Sequence, residues 1–197
     1  MSDTINSLDA LNKLFQNLLI SMLGYVKEGS PAAYPRAAFE AVRVSWPTTG
    51  APAWKITDNV VFIRTTEEDD PINIQREDRY YDVGSPVVLN HDTSYTRVIA
   101  LGLISYGPSS WNNMRIIRDK MFNQEFRDVL ALSNVFLIPD AYTPRRLPEL
   151  FGGNWWERVD MDLAFNEKVI INREVPYIES AEIVVVNGDG VQATITN

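Results

Sequence analysis

Two aspartates in the C-terminal half, Asp160 and Asp162, are the first residues to weigh as a chemical site. Residues two apart on a β-strand point to the same face, so these carboxylates, with Glu157 nearby, resemble the Mg²⁺ ligands of a nuclease. Arg158 falls on the same face and would compete for the carboxylates. We therefore favour a charged stripe that faces solvent or a neighbouring subunit over a metal site.

The sequence contains one histidine, His91, and no cysteine. Transition-metal sites of the usual His/Cys type are thereby excluded, and a Ser–His–Asp triad would have to use His91. No G-x-S-x-G, Walker A or G-x-G-x-x-G motif supplies a nucleophile or a phosphate site. His91 lies in a polar context typical of an exposed surface residue. We predict no enzymatic activity, no catalytic or metal-binding residue and no cofactor.

Large aromatic residues and two arginines lie in and beside a loop rich in proline and glycine. Aromatic side chains in such a place act either as core plugs or as interface anchors, where tryptophan and tyrosine are enriched. A sugar-binding platform uses the same residue types, but no cluster of sugar-binding polar residues accompanies them. We carry these residues forward as a candidate interface: Tyr142, Arg145, Arg146, Phe151, Trp155 and Trp156.

An acidic run precedes Pro71 and completes the candidate interface with Glu67, Glu68, Asp69 and Asp70. Its default interpretation is a solvated turn, and a divalent-metal site is the alternative, although no further ligands at fixed spacing are evident. Residues 65–92 around it resemble an extended arm or loop, since long irregular excursions are often functional. We expect this segment to reach a neighbouring chain.

Composition narrows the class of protein. The 197 residues fit one domain, and the absence of cysteine favours folding in a reducing cytoplasm. The formal net charge of −8 opposes tight binding to nucleic acid and is compatible with DNA passing over the surface without adhering. No signal peptide and no apolar stretch of membrane-spanning length is evident, so we expect no membrane contact.

The helices are predicted from apolar residues at spacings of three and four. Residues 8–23 form an amphipathic pattern, with Ser7 as a suitable N-cap and Gly24 as a suitable stop. A second helical region, residues 109–132, opens with serines that can cap it and contains a bend. Its predicted apolar face consists of Trp111, Met114, Ile117, Met121, Phe122, Phe126, Val129 and Leu130.

The strands are predicted from alternation and from β-branched or aromatic content. Short links favour antiparallel pairing, so we predict an α+β fold, mainly an antiparallel sheet with the N-terminal helix and the central helical region packed against it. Val159, Met161, Leu163 and Phe165 alternate with polar residues and should be buried. The predicted strands are 41–46, 59–65, 75–82, 93–106, 134–138, 158–166, 181–186 and 191–196, the last two joined by a turn at 187–190.

The C-terminal half resembles the bacteriophage neck or tail terminator family. The matching features, in order, are a short strand ending in Pro139, a proline–arginine loop, the motif Gly-Asn-Trp-Trp-Glu-Arg at 153–158, a strand ending Phe-Asn-Glu at 165–167, and the block 175–180. The N-terminal third agrees in its leading helix, whereas residues 29–92 match nothing and suggest a specialised arm.

The resemblance implies a structural virion protein with no catalytic residues. Such subunits form a ring, which we expect to be a hexamer, that caps the tail tube and joins it to the head-side neck. The implied partners are the tail tube, sheath proteins, neck or connector proteins and further copies of the chain. The implied location is the tail–neck junction of the virion, after synthesis in the host cytoplasm. A neighbouring connector or tail-tube protein, or a carbohydrate-binding or hydrolytic module, is the alternative.

Overall fold

The described residues form a mostly antiparallel sheet with three α-helices whose bounds are defined, as predicted for an α+β protein. In the computed structural model the described residues are 3–24, 41–45, 54–82, 84 and 88–176, together with the backbone of 182–187 and 190–196. By proximity of Cα atoms the chain divides into two compact units, residues 4–75 with 95–169, and residues 1–3 with 76–94 and 170–197. The interpretation of the chain as a single domain stays a prediction.

Helix α1 spans Leu8–Met22 and confirms the predicted N-terminal helix. Ser7 caps it, because its hydroxyl oxygen accepts a 3.2 Å hydrogen bond from the Ala10 backbone N–H. Gly24 follows the last turn with φ at +77°, a left-handed conformation that ends helices and that glycine adopts without a steric penalty.

The central helical region is two helices, α2 over Ser110–Met121 and α3 over Gln124–Ala131. The predicted apolar face was wrong at Trp111, Phe122 and Val129, which are all about 40% exposed. Trp111 lies about 90° around the axis of α2 from the centre of the buried stripe of that helix. The neighbouring Ser110 lies in the stripe and is buried. Phe122 follows the end of α2, and Val129 lies off the short stripe of α3. The remaining predicted residues are buried: Met114, Ile117, Met121, Phe126 and Leu130.

Eleven strands are present in the described residues, with one 3₁₀ helix at Pro71–Ile74. The two longest strands each contain 19 residues. The strands are β1 Val42–Val44, β2 Val60–Glu68, β3 Glu77–Asp82, β4 Val88–Tyr106, β5 Val135–Leu137, β6 Arg145–Arg146, β7 Glu149–Phe151, β8 Asn154–Trp156, β9 Arg158–Pro176, β10 Glu182–Asn187 and β11 Gly190–Thr196.

The main sheet has the order β1-β2-β4-β9-β5, with β3 paired to β4 and β6 paired to β9. Strand β1 runs parallel to β2, whereas β2 and β3 pair antiparallel with β4, and β5 and β6 pair antiparallel with β9. Strands β7 and β8 form a separate two-stranded hairpin. The hairpin of β10 and β11 was predicted, and Asn187 pairs with Gly190 as expected; the two turn residues between them lie outside the described residues.

Strand β9 confirms the predicted alternation, since Val159, Met161, Leu163 and Phe165 are each at most 2% exposed. They face the helices, and the rings of Phe15 and Phe165 lie 4.8 Å apart between centroids. The face that β9 turns towards the helices therefore follows from its sequence, because a shift of one residue would bury the aspartates instead.

Three strand predictions were wrong. Strand β4 begins at Val88 rather than at residue 93, and β9 continues to Pro176 rather than ending at residue 166. Both extensions mix apolar and polar residues without the strict alternation of a half-buried strand, so the pattern that marks a strand fades before the hydrogen bonding ends. Strand β10 was expected in the main sheet, but within the described residues it pairs with β11 alone.

Candidate interaction site

Among the described residues, the helices pack on one face of the main sheet, and we call the opposite face the open face. On β2, Val61 and Ile63 point to the helices and are buried, while Phe62 and Arg64 alternate with them on the open face. Their partners across β4 are Ile104 and Gly102. The open face therefore carries aromatic residues at one end and charged residues along its length.

A short β-hairpin, which we call the aromatic ribbon, is formed by β7 and β8 in the predicted proline- and glycine-rich loop. Glu149 pairs with Trp156 and Phe151 with Asn154 across it. Gly152 and Gly153 form its two-residue turn with φ at +59° and +79°, a combination that glycine adopts without strain. Sequence reasoning missed this hairpin, although the Gly-Gly pair between aromatic residues is a recognisable hairpin signal.

Trp156 points from the ribbon onto the sheet. Its ring centroid lies 6.1 Å from that of Trp54 and 6.4 Å from that of Tyr106. Trp54 in turn packs against Phe62 at 4.9 Å. Trp54, Phe62, Tyr106, Phe151 and Trp156 are hereafter the aromatic cluster. Trp156 is half-buried, so of the two interpretations of the aromatic residues it fits the core plug.

Glu149 anchors the ribbon by polar contacts at the same place. Its Oε2 accepts a 2.9 Å hydrogen bond from the Tyr106 hydroxyl and lies 3.2 Å from Nη1 of Arg158. Burial, followed by the bond to Glu149, raises the pKa of Tyr106 to about 12. Arg158 also bonds Asp160 at 2.7 Å, and this bond is the main reason that the pKa of Arg158 is raised. Tyr106 therefore stays a neutral hydrogen-bond donor at neutral pH.

Trp155, the neighbour of Trp156, points to the opposite side of the ribbon, as expected of successive residues in a strand. Its side chain is 67% exposed. It lines a broad groove of about 800 Å³ with Trp111, Ile56 and the Arg146–Glu157 ion pair. Phe151 and Tyr142 are similarly exposed, at 67% and 62%. Three aromatic residues of the candidate interface, Trp155, Phe151 and Tyr142, thus lie on the protein surface.

The aspartates of β9 are paired with arginines rather than arranged as metal ligands. Arg145 Nη2 lies 3.3 Å from Asp162, and Arg158 contacts Asp160 through two nitrogens. Arg146 and Glu157 form an exposed ion pair that lowers the pKa of Glu157. No group of three potential metal ligands is found in the part of the chain that the structure describes.

The acidic run is not a single solvated turn, which corrects the prediction. Glu67 and Glu68 are the last residues of β2, and Glu67 lies 3.2 Å from Nη1 of Arg97. Asp70 caps the 3₁₀ helix by accepting a hydrogen bond from the Ile72 backbone N–H. Asp69 is exposed. The residues before the acidic run favour β structure, and strand β2 therefore continues into the first two residues of the run.

A buried carboxylate, Glu167, was missed by sequence reasoning. Its side chain is fully buried, accepts from the backbone N–H of Asn6 at 2.8 Å and pairs with Arg97 at 2.7 Å. Burial lowers the pKa of the Arg97 guanidinium, but the hydrogen bond and the charge of Glu167 outweigh burial, so that the pKa of Arg97 is raised. The position of Glu167 in the sequence could have indicated its burial. Glu167 lies two residues after Phe165 on the same strand, so its side chain points to the same side, towards the helices.

His91 lies in strand β4 and is not the exposed residue that its neighbours suggest. Its ring stacks on Tyr80 with centroids 4.3 Å apart, and Nε2 lies 2.9 Å from Asp78. The hydroxyl of Thr93 donates to the same Asp78 oxygen, and these two contacts lower the pKa of Asp78. The side chain of His91 is 15% exposed. The arrangement orders the β3–β4 pair, and none of these contacts joins His91 to a serine.

An α+β subunit with ion-paired aspartates and an exposed aromatic ribbon has the features of a structural component of an assembly. The chain belongs to the family of phage neck terminator proteins, whose family model matches residues 9–190. The match includes residues 29–92, so the expectation that this segment falls outside the family pattern was wrong. A comparison with curated proteins finds no match.

Family membership makes the chain a structural bacteriophage protein of the virion neck that associates with other neck or tail proteins. No helix in the described ranges is long and apolar enough to span a membrane.

Proposed function

We propose that the chain is a non-enzymatic terminator subunit that forms a ring, caps the tail tube and meets the head-side neck proteins. Membership of the neck terminator family supports this role. The structural observation that supports a ring is the separation of two regions on one sheet, the aromatic cluster and the acidic run. Phe62, in the aromatic cluster, and Glu68, in the acidic run, lie six residues apart on β2, or roughly 20 Å.

A cyclic ring needs two different complementary surfaces on each subunit. The first surface in this proposal is the aromatic ribbon, with the exposed Trp155 on its outer side, the exposed Phe151 at the rim of its inner side and the exposed Tyr142 in the loop that precedes it. The second is the 65–92 segment, which contains the acidic run and the edge strand β3. Because exposed charge pairs contribute little, the aromatic side chains should supply most of the binding free energy.

The same proposal makes DNA a passing occupant of the ring rather than a ligand. A formal net charge of −8 disfavours the phosphate contacts that dominate affinity for DNA. Duplex DNA should therefore bind the isolated protein weakly at physiological salt. Tight binding that weakens steeply with added salt would contradict this part of the proposal.

The mass of the wild-type protein, alone and with purified tail tubes, tests the ring. We expect a species of about six times the 22.4 kDa chain mass, at least on the tubes, and a position at the head-proximal end of the tube in electron micrographs. A protein that stays monomeric in the presence of tubes, or that decorates the tube along its whole length, would count against a terminator.

A further inference from the structure

The inner side of the aromatic ribbon borders a groove lined by aromatic rings and the carboxylate of Glu149. Trp54, Tyr106, Phe151 and Trp156 line it with Glu149, and its volume is about 340 Å³. We propose that this groove binds a basic side chain, arginine or lysine, presented by a protein partner in the assembled neck. The proposal rests on the proposed function, because it names the chemistry of a partner at the same ribbon.

The walls of the groove suit a cation. The ring planes of Trp54, Tyr106 and Phe151 are inclined by 71–88° to that of Trp156. The aromatic surfaces that line the groove therefore face in several directions. A guanidinium or ammonium group within about 6 Å of such a face is attracted by the ring quadrupole. The cluster already does this once, since the Arg43 guanidinium lies 6.0 Å from the Trp54 ring centroid.

Among the described residues, the carboxylate that lines the groove, Glu149, is bonded through one oxygen. Both contacts of Glu149, from the Tyr106 hydroxyl and from Arg158, use Oε2. No donor among the described residues reaches Oε1. Arg158 is moreover shared, because it also bonds both oxygens of Asp160. The carboxylates of Glu149 and Asp160 thus share the guanidinium of Arg158. A second basic group would provide Glu149 with an ion-pair partner of its own.

A basic side chain fits better than an apolar one for a solvation reason. An apolar occupant would cover Oε1 without offering a donor, which is costly for a charged group. A basic occupant keeps the contact with the rings and donates to Oε1 as well. The Trp155 groove differs here, because its arginine and its carboxylate, Arg146 and Glu157, already pair with each other. Cation binding is therefore expected on the Trp156 side alone.

The test is a fluorine NMR titration of protein labelled with fluorotryptophan, with the five tryptophan signals assigned by substitution to phenylalanine. The probe is N-acetyl-arginine amide, and the matched neutral probe is the citrulline derivative. We expect saturable shifts of the Trp54 and Trp156 signals at millimolar arginine amide, and affinity about tenfold weaker for citrulline, the loss of one charge-assisted hydrogen bond. Glu149→Gln should weaken arginine binding about tenfold, and Glu157→Gln should leave it unchanged.

Three results would overturn the proposal: no saturable shift, equal affinity for the arginine and citrulline probes, or unchanged affinity in Glu149→Gln. The comparison of the two probes uses the wild-type protein, so it stands even if Glu149→Gln fails to fold. Ring mass is measured in the same samples. A wild-type protein that forms rings without binding arginine amide would contradict this inference alone, whereas a protein that binds arginine amide but never assembles would contradict the proposed function alone.

Discussion

The two faces of the main sheet differ in what their side chains contact. On the helix face, Met161 and Phe165 are fully buried in one continuous apolar core with α1, α2 and α3. On the open face, the neighbouring residues Asp160 and Asp162 pair with arginines, and the aromatic cluster covers only one end. The helix face thus packs into a core within the chain, whereas the ribbon over one end of the open face carries exposed aromatic side chains, Phe151 and Trp155.

This difference separates residues that determine the fold from residues available for assembly. A large apolar side chain within a filled core stabilises the subunit, whereas an exposed one on a rigid hairpin contributes only when a partner covers it. Trp155 and Trp156 show both cases in adjacent positions. Trp155 points outward, whereas Trp156 contacts Trp54 and Tyr106.

The largest expected effect contrasts the two faces directly. Phe165→Ala removes a fully buried ring that packs on Phe15, so we expect it to lower the free energy of unfolding by about 4 kcal/mol. Asp162→Ala, on the open face of the same strand, removes an exposed ion pair and should change it by less than about 1 kcal/mol. Urea denaturation of both variants checks this. Similar losses would show that the open face is part of the folding core.

A smaller loss is expected at the buried ion pair. Among the described residues, Glu167→Ala leaves Arg97 its contacts to Glu67 and Asn6, and the backbone N–H of Asn6 loses its acceptor. We expect a loss of about 3 kcal/mol, because a buried charge loses its nearest partner. Glu68→Ala, at the exposed end of β2, is the control and should change the free energy of unfolding by less than about 0.5 kcal/mol. Equal, small effects in both variants would mean that Glu167 adds nothing to the helix face.

The subtlest effect concerns pH and the open face. The pKa of Tyr106 is about 12 in the folded chain, against an ordinary value of 10.0. The unfolded chain therefore releases this proton first, so the contribution of Tyr106 is complete below pH 10 and is lost as pH rises towards 12.

Denaturant unfolding on both sides of pH 10 measures this loss. Tyr106→Phe should lose less stability than the wild type between those conditions, because phenylalanine has no proton to release. Absorbance of tyrosinate provides an independent measure: the wild type should show a late-titrating tyrosine that the variant lacks. Identical pH dependence of stability in the two proteins would rule out the Tyr106–Glu149 contact as a stabilising bond.

The helix face could be predicted from the sequence and the open face only in part. Leu11, Phe15 and the alternating residues of β9 have a period that fixes both their element and their direction. Trp155 and Trp156 have no such signal, because their different environments depend on Trp54, about a hundred positions earlier in the chain. Glu167 was missed for a related reason. A buried carboxylate depends on Arg97 and Asn6, and no local pattern announces them.

The central claim, that the outward side of the ribbon holds the ring together, is tested most directly by Trp155→Ala with Trp156→Ala and Leu132→Ala beside it. Leu132 is 87% exposed and lies outside the candidate interface, so it controls for the loss of any exposed apolar side chain. Each variant is examined by circular dichroism and by its mass in the presence of tail tubes.

We expect Trp155→Ala to keep the wild-type spectrum and stability yet lose the ring, at a cost of about 2 kcal/mol or more per interface. Trp156→Ala should instead lose stability, and Leu132→Ala should change neither property. A Trp155→Ala protein that forms the same ring as the wild type would contradict the account.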